Sequence, residues 1–409
     1  MDEKKADRRL STKAIHAGFR FRESYGSAAE PMYPATTYVF PSAEAAAAAF
    51  KNPYAEESDF VYSRMSHPNA AMVEERLTAI EPGSGAAAIF ASGESAIFGT
   101  IWGLLPNGGV IACLNPIYGG THHMMARFFG HMSDFAINEY DARDGVPDFG
   151  FGPDVLFLET PTNPTLVMVD IDAVAAAVKQ SNPNCIVVVD NTFMGALQTP
   201  FEISEHVDLI VYSGTKYMGG HSNVLCGAVL ARKGREYLIL DIERVRGDFG
   251  GILHPFECWL LLTFLKTYAI RMNTQSERAQ IVAEFLQQHH LVERVDFPGL
   301  WQSGDVYYEI FKKQCTAPGA MIAFYLKGFD RERIFRFQNI LAERHHILLA
   351  VSLGGVKSLL CHPASTTHAC MGEEEQLKYG ITENLIRLSV GAEEAEVLIE
   401  DLQFALENC

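Results

Sequence analysis

The chain has 409 residues, of which 48% are hydrophobic and 20% are charged. This composition is typical of a folded protein with a large core and argues against disorder. The net charge of −17 would repel phosphate backbones, which excludes nucleic acid as the main partner.

The sequence predicts a cytoplasmic protein without a membrane segment. The first ten residues, MDEKKADRRL, are charged and lack the apolar core of a signal peptide. No apolar run approaches the ~20 residues that a membrane-spanning helix needs. The eight cysteines are scattered without a C-x-x-C pair, which is typical of reduced thiols in a cytosolic core.

Three regions with different patterns succeed one another along the chain. Residues 1–66 combine a charged start with prolines and aromatics, so we expect an N-terminal arm that packs on another surface, such as a neighbouring subunit. Residues 67–262 alternate short apolar runs with helical stretches, which predicts βαβ units and a mostly parallel sheet buried on both faces. Residues 263–409 mix helices and strands, which predicts a smaller C-terminal α+β domain.

The individual elements are predicted from apolar periodicity. The predicted strands are Ala86–Phe90, Val110–Leu114, Val155–Leu158, Ile186–Val189, Leu209–Tyr212, Ala228–Ala231 and, in the C-terminal region, Met321–Leu326. The predicted helices are Ala43–Phe50, Met72–Ile80, Ser95–Leu105, Ile171–Gln180, Phe256–Met272, Arg278–His289, Arg331–Ala342 and Ala392–Glu407.

Polar residues come after several of these strands. Glu159, Thr160 and Asn163 come after the third strand, Asp190 and Asn191 directly follow the fourth, and Ser213, Thr215 and Lys216 follow the fifth. Ligands of open α/β sheets bind beyond the carboxyl ends of the strands. The sequence therefore predicts that these groups converge on one crevice.

The residue types in this set fit one cofactor. A lysine can form a Schiff base with an aldehyde, and the hydroxyls of Ser213 and Thr215 suit a phosphate. A buried carboxylate at Asp190 needs a cationic partner. Pyridoxal phosphate (PLP) has an aldehyde for Lys216, a phosphate for the hydroxyls and a pyridinium nitrogen for Asp190.

Four further residues support this hypothesis. Gly93 precedes a predicted helix, where backbone N–H groups attract phosphate, and Tyr62 and Arg64 add a hydroxyl and a guanidinium. Tyr118 follows a strand and can stack on a flat ring. Each of these residues alone has an ordinary structural reading, and only their combination favours a cofactor site. Adjacent histidine pairs lack the spacing of metal ligands, so no metal is predicted.

Nine motifs carry a resemblance to a known family: STKAIHAG, VYSRMSHPN, IYGGT, LETPTNPT, VVVDNTF, SGTKYMGGHS, AVSLGG, HPASTTH and NLIRLSVGAEE. From about Leu10 to Glu407 the chain resembles the Cys/Met-metabolism (transsulfuration) family of fold-type I PLP enzymes. This resemblance implies the PLP-dependent transferase fold (type I) with a smaller C-terminal α+β domain.

The resemblance also implies roles at the cofactor. Lys216 matches the Schiff-base lysine, Asp190 the partner of the ring nitrogen, Asn163 a residue near the ring hydroxyl, and Tyr118 a stacking tyrosine that assists proton transfer. Gly93, the backbone of Glu94, Ser213 and Thr215 match phosphate ligands. Tyr62 and Arg64 match a pair that reaches the phosphate of a neighbouring subunit, which implies self-association as a dimer of dimers.

At the substrate, Arg387 matches the clamp for the α-carboxylate, with Ser352 beside it. Relatives that handle cystathionine usually carry Glu at the position of Val351 and Arg at that of His123, and both are replaced here. An apolar residue before the serine resembles methionine γ-lyase. However, those lyases typically carry Cys where Gly120 stands, and VKSLLCHPASTTH resembles O-acylhomoserine sulfhydrylases.

We therefore expect γ-elimination on methionine or a similar γ-substituted amino acid. The alternative is γ-replacement on O-acylhomoserine, by a cystathionine γ-synthase or an O-acetyl/O-succinylhomoserine sulfhydrylase. Two other classes are a PLP-binding regulatory protein and a nicotinamide dehydrogenase. The intact Lys216, Tyr118 and Arg387 argue against the regulatory protein. The GSGAAA stretch resembles the dinucleotide loop of a dehydrogenase, but it follows a helix rather than the strand that such a loop requires.

Overall fold

The computed structural model describes residues 3–51, 54, 60–369 and 371–409, so part of the predicted arm and Cys370 lie outside the described residues. The helices are α1 Glu3–His16, α2 Ala43–Lys51, α3 Pro68–Ile80, α4 Gly93–Leu104, α5 Gly119–His123, α6 Ile171–Ser181, α7 Pro200–Ile203, α8 Tyr237–Phe249, α9 Pro255–Leu265, α10 Tyr268–Gln288, α11 Val306–Gln314, α12 Arg331–Arg344, α13 Glu373–Lys378 and α14 Ala395–Asn408. The strands are β1 Ser84–Phe90, β2 Gly109–Asn115, β3 Phe135–Asp141, β4 Val155–Glu159, β5 Ile186–Asp190, β6 Leu209–Tyr212, β7 Gly227–Arg232, β8 Val292–Asp296, β9 Met321–Leu326, β10 Ile347–Leu349, β11 Ser358–Cys361 and β12 Leu385–Ser389. Among these helices, none combines the length and the apolarity that a membrane span requires.

The chain groups into two compact units, each built from two stretches. The first unit contains residues 1–108 and 207–269, and the second contains residues 109–206 and 270–409. The predicted boundaries after residues 66 and 262 divide the chain sequentially instead, and they remain a prediction.

In the first unit, β7 pairs antiparallel with β1 on one side and with β6 on the other. All four residues of β6 are buried, as expected for the apolar sequence LIVY. A glycine begins β7 for a steric reason: a Cβ at Gly227 would lie 2.1 Å from the carbonyl oxygen of Ser92. This close approach brings the start of β7 against the residue that caps α4.

In the second unit, four strands pair in parallel in the order β5-β4-β2-β3. Their carboxyl ends therefore lie at one edge, where Glu159 on β4 is in register with Asp190 on β5. Helix α6 connects β4 to β5, and the side chain of Asp170 caps it by accepting a hydrogen bond from the Ala173 N–H at 3.1 Å. The predicted α/β class, with a mostly parallel sheet flanked by helices, is confirmed.

A second sheet of five strands occupies the C-terminal part of the chain, in the order β10-β11-β12-β9-β8. Its pairs are antiparallel except for β10 with β11, which confirms a second, smaller α+β region. Only β9 of these strands was predicted, because it is the one with six consecutive buried apolar residues.

Two other elements differ from the prediction. Strand β3 was missed because it lies at the edge of its sheet and its sequence, FAINEYD, alternates between partly buried and exposed residues. The single helix predicted over Phe256–Met272 is two helices, which are interrupted at Lys266 and Thr267. The Thr267 N–H bonds to the Phe264 carbonyl three residues back, so the α-helical spacing stops there although the apolar pattern continues.

Candidate cofactor and substrate site

The turn between β6 and β7 carries the predicted catalytic lysine. The Lys216 N–H donates to the Ser213 carbonyl at 3.1 Å, and the Gly220 N–H donates to the Lys216 carbonyl at 2.6 Å. Gly220 has a φ of 66°, which favours glycine at this point of the turn. The backbone of the lysine is thus fixed from both sides, and its side chain is half-buried.

A candidate phosphate cradle lies beside this turn. Gly93 begins α4, and the Ser92 side chain caps the helix by accepting a hydrogen bond from the Ser95 N–H at 3.0 Å. A Cβ at Gly93 would lie 2.8 Å from the Ser213 Cβ, so only glycine allows this approach. The structure thereby brings Ser213 to the first turn of α4, next to Gly93 and Glu94. The N–H groups and the dipole of such a turn attract an anion.

Thr215 ties the lysine turn together. Its hydroxyl donates to the Cys226 carbonyl at 3.0 Å and accepts from the Cys226 N–H at 2.9 Å. These bonds hold the two ends of the segment between β6 and β7. A contact between Thr215 and a phosphate remains a prediction.

Tyr62 and Arg64 lie near each other on the surface of the first unit. The Arg64 guanidinium donates to the Gly247 carbonyl and lies 5.8 Å from the centre of the Tyr62 ring. Both side chains are exposed, with the Tyr62 side chain 44% exposed. The contact with a neighbouring subunit that the resemblance implies remains a prediction.

Asp190 is a buried carboxylate at the end of β5. It is 7% exposed, and this burial raises its pKa to about 6. Its Oδ1 accepts a hydrogen bond from the Thr192 N–H at 2.9 Å. In the part of the chain that the structure describes, no basic side chain forms a salt bridge with it. A protonated ring nitrogen would supply the missing cation, so this residue fits PLP.

Tyr118 lies between β2 and α5, and a strand-end residue whose role the sequence reasoning missed holds it there. The carboxylate of Glu159, at the end of β4, accepts a hydrogen bond from the Tyr118 N–H at 2.8 Å. The Tyr118 side chain is 42% exposed, which leaves its ring accessible to a ligand. The signal for Glu159 was its position as a buried acid at the end of an apolar strand.

Arg387 on β12 is the candidate clamp for a substrate carboxylate. It is only 2% exposed, and its Nη1 donates to the Asn163 Oδ1 at 2.8 Å. Its Nη2 donates to the Val351 carbonyl at 2.9 Å. Within the described residues no carboxylate pairs with this buried guanidinium, so it suits an anionic ligand. The structure thus places Asn163 next to the clamp, whereas the resemblance implies a position near the ring hydroxyl.

The remaining predicted substrate residues lie at or near the surface. The Val351 side chain is 58% exposed although its carbonyl holds Arg387, and Ser352 comes next as a half-buried residue. His123 is exposed at the end of α5. The structure therefore brings Val351 and Ser352 to the clamp, and it places His123 on the helix that begins after Tyr118.

His368 is a second residue that the sequence reasoning missed. It is fully buried, and a Cβ at Gly119 would lie 3.7 Å from its ring. Burial, together with the nearby Arg387 charge, lowers its pKa to about 3, so the imidazole is neutral. The Thr367 hydroxyl lies 2.9 Å from its Nδ1. A neutral ring packs beside Gly119 without repelling the Arg387 guanidinium, and the motif HPASTTH was its only signal.

A charged cluster lies behind the Tyr118 segment. The His122 N–H donates to the Tyr118 carbonyl at 2.9 Å, and its Nε2 lies 3.1 Å from Glu139 and 3.4 Å from Glu375. The interaction with Glu139 raises the pKa of His122, although burial and the Lys378 charge oppose the shift. The protonated form therefore bridges β3 and α13.

This cluster predicts a dependence of stability on pH. Because the pKa of His122 is higher in the folded protein, its contribution is complete below about 6.5, the pKa of a free histidine. The contribution is lost as pH rises through the raised value. We expect urea unfolding to show that His122→Gln destabilises the protein more at pH 6 than at pH 9. An equal loss at both pH values would contradict this account.

PLP-dependent enzymes require an amine that can form a Schiff base, a group of anion-binding residues and a buried carboxylate. The fold and these residues define the protein as a member of this class. The comparison with known proteins is more specific. The chain belongs to the family of Cys/Met metabolism PLP-dependent enzymes, whose family model matches residues 11–407.

Named relatives extend over the whole chain. An L-methionine gamma-lyase of Pseudomonas deceptionensis is 38% identical, with 99% of each chain covered. A cystathionine beta-lyase of Bacillus subtilis is 35% identical, with 98% of this chain and 96% of the relative covered. The solved structure of a cystathionine gamma synthase from Xanthomonas oryzae in complex with cystathionine matches with a TM-score of 0.86, at 30% identity over 97% of each chain.

Proposed function

We propose that this protein is a carbon–sulfur lyase that catalyses γ-elimination on methionine or a similar small γ-substituted amino acid. One observation carries the proposal: the exposed apolar side chain of Val351 stands next to the carbonyl that holds Arg387. A substrate whose carboxylate is bound by Arg387 would meet an apolar group there. Relatives named L-methionine gamma-lyase, at 36–38% identity, support the same reading.

The residues of the first unit would hold the cofactor and move protons. Gly93, Glu94, Ser213 and Thr215 would bind the phosphate, and the amine of Lys216 would hold the aldehyde end of the cofactor. When bound, PLP accepts the electron pair that remains when the amino acid loses its Cα proton. The amine of Lys216 takes that proton and returns it later in the reaction.

The residues of the second unit would control charge and orientation. Asp190 would keep the ring nitrogen protonated, and the accessible ring of Tyr118 would pack on the cofactor, with its hydroxyl exchanging protons with the reacting amino acid. Arg387 and Ser352 hold the α-carboxylate, and Asn163 fixes the guanidinium of Arg387 through the 2.8 Å bond. Val351 and His123 lie on the side of the distal substrate group.

Substrate preference depends on the charges at the distal end. Cystathionine carries an ammonium and a carboxylate there, and burying them without partners costs several kcal/mol, whereas a methyl thioether has no such cost. His123 stands where relatives that handle cystathionine usually carry Arg, so the permanent cation that would pair with a distal carboxylate is replaced here.

We therefore expect a higher kcat/KM for methionine than for cystathionine. Val351→Glu should narrow this gap because it introduces a partner for the distal ammonium, and Val351→Leu serves as the control of similar polarity. Steady-state kinetics on both substrates measure the ratio. A wild-type preference for cystathionine would refute the proposed specificity.

The alternative function is γ-replacement on O-acylhomoserine. The structural match to a cystathionine gamma synthase favours it, as does the VKSLLCHPASTTH motif. This reaction would use the same cofactor residues and differ only after the γ-substituent has left. In γ-replacement a thiol adds at Cγ, whereas in γ-elimination water releases a keto acid and ammonia. A requirement for a thiol cosubstrate therefore separates the two functions.

The assembly and the compartment complete the proposal. The family resemblance supports a dimer of dimers, in which the predicted arm of residues 1–66 and the exposed Tyr62 and Arg64 meet a neighbouring subunit. A cytoplasmic location is supported by the seven described cysteines, which are all free thiols, while Cys370 lies outside the described residues.

A shared site between subunits predicts complementation. Arg64→Ala and Lys216→Ala should each be inactive, but a mixed dimer contains one site with both residues intact. We expect activity to return when the two proteins are mixed under conditions where subunits exchange, up to about a quarter of wild type if random mixing makes half of the dimers hybrid. Mixing each variant with itself is the control. Exchange shown by differently tagged subunits, without any activity, would mean that Arg64 serves its own subunit.

A further inference from the structure

The second unit contains a cavity of about 400 Å³ that none of the proposed cofactor or substrate residues lines. Cavities of this size typically hold small ligands. Its walls include two arginines, two acids and several aromatic rings, which come from β8, β9 and the segments around Arg143, Leu166 and Tyr379. These groups together indicate the chemistry of the ligand that the cavity would bind.

The two arginines offer donors for an anionic group. The Arg143 Nε donates to the Asp141 Oδ1 at 2.9 Å, and its Nη2 donates to the Asp141 Oδ2 at 2.5 Å and to the Lys378 carbonyl. These bonds fix the guanidinium, so Nη1 is its donor toward a ligand. Its Nη1 lies 3.7 Å from the position of a Cβ at Gly380, another residue of the cavity wall. Arg294 lies 3.9 Å above the Tyr325 ring. Fixed guanidinium groups with donors to spare favour a carboxylate.

The two acids offer acceptors for a cationic group. Asp296 lies 3.2 Å from Arg294, and although burial raises the pKa of its carboxyl group, a nearby cation favours the ionised form. Glu293 accepts a hydrogen bond from Asn384 at 3.2 Å through one oxygen, Oε2, which leaves the other for a ligand. An anion would be attracted by the two arginines and repelled by the two acids, and a cation would be attracted by the acids and repelled by the arginines. A zwitterion satisfies both.

Aromatic rings form the remaining wall. The ring centres of Trp301 and Tyr307 lie 5.6 Å apart with the planes tilted by 45°, and Leu166 adds an aliphatic surface. Such a wall receives an apolar side chain.

The cavity also adjoins the proposed substrate clamp. Leu166 adopts a left-handed backbone with a φ of 57°, and its N–H donates to the Thr162 carbonyl at 2.9 Å. This tight loop contains Asn163, whose side chain accepts the hydrogen bond from Arg387. A ligand in the cavity would therefore contact the loop that positions Asn163.

From these groups we propose that the cavity is an accessory binding site for a free amino acid with an apolar side chain. Its carboxylate bonds to Arg143 and Arg294, its ammonium to Glu293 and Asp296, and its side chain packs on Trp301 and Tyr307. This site goes beyond the proposed reaction and does not require turnover at Lys216.

Calorimetric titration of the holoenzyme with L-norleucine tests this site, since norleucine has an apolar side chain and no γ-leaving group. We expect two binding events per chain, of which only one changes the visible spectrum of the cofactor. Trp301→Ala and Arg294→Gln should each weaken the spectrally silent event by about tenfold or more and leave the other unchanged. Trp301 belongs to the aromatic wall of the cavity and Arg294 to its charged groups. If one variant fails to fold, the other still tests the site. Arg336→Gln, an exposed arginine on α12, is the control and should retain both events.

Two analogues test the proposed chemistry. Hexanoate lacks the ammonium and norleucinamide lacks the carboxylate, so both should lose the silent event. The absence of a spectrally silent event, a silent event unchanged in the lining variants, or hexanoate binding there as tightly as norleucine would each overturn the proposal.

Discussion

Lys216→Ala is expected to abolish turnover while leaving the fold intact. Proton transfer by a positioned side chain contributes roughly 10²–10⁴-fold to a rate, and the lysine also carries the cofactor, so the loss in kcat should reach several orders of magnitude. The backbone bonds of the turn, from Lys216 to Ser213 and from Gly220 to Lys216, do not involve the side chain and should persist. Steady-state kinetics and circular dichroism measure the two effects.

Lys233→Ala is the matched control for this experiment, because Lys233 is an exposed lysine of the same unit. It should retain full activity. Near-normal turnover in Lys216→Ala would remove the lysine from the mechanism, and a collapse of the fold would point to a structural role.

Asp190→Asn is expected to give the second largest loss of activity, because the amide keeps the shape and removes the charge. Loss of one preorganised electrostatic group costs on the order of 10²–10³-fold in kcat. The same substitution should raise the unfolding free energy of the cofactor-free protein at neutral pH, although it lowers activity. Burial raises the pKa of Asp190 to about 6, so the wild-type protein loses stability as pH rises through that value.

The asparagine side chain does not titrate. The fall in unfolding free energy between pH 4 and pH 7 that Asp190 causes in the wild type should therefore be absent in the variant. Urea unfolding of both cofactor-free proteins measures the difference. A variant that keeps its activity but loses stability at neutral pH would show that Asp190 only caps the Thr192 backbone.

The site residues that lie at the ends of buried strands were predictable from the sequence. Asp190 and Lys216 were found because an apolar run that stops at a polar residue marks the end of a buried strand, and the structure places both there. Gly93 was found because a glycine before a helical pattern predicts a helix start. These signals are local, so a single sequence contains them.

Contacts between distant parts of the chain were not predictable in the same way. Asn163 and Arg387 are separated by 224 positions, and only the folded chain shows their hydrogen bond. Glu159 lies at a predicted strand end, but its hydrogen bond to the Tyr118 backbone was not predictable, and His368 was missed because a buried histidine has no distinctive pattern without its partner. Strand β12, which carries Arg387, is a five-residue strand in which the arginine interrupts the apolar run.

The products formed from methionine by the wild-type holoenzyme test the proposed function most directly. The measurement quantifies methanethiol, ammonia and 2-oxobutanoate in the absence of any added thiol. A γ-lyase should release the three products in equal amounts, and the Val351 surface should make methionine a better substrate than cystathionine. An enzyme that leaves methionine unchanged, but rapidly consumes O-acetylhomoserine once a thiol is supplied, would contradict the account and establish γ-replacement instead.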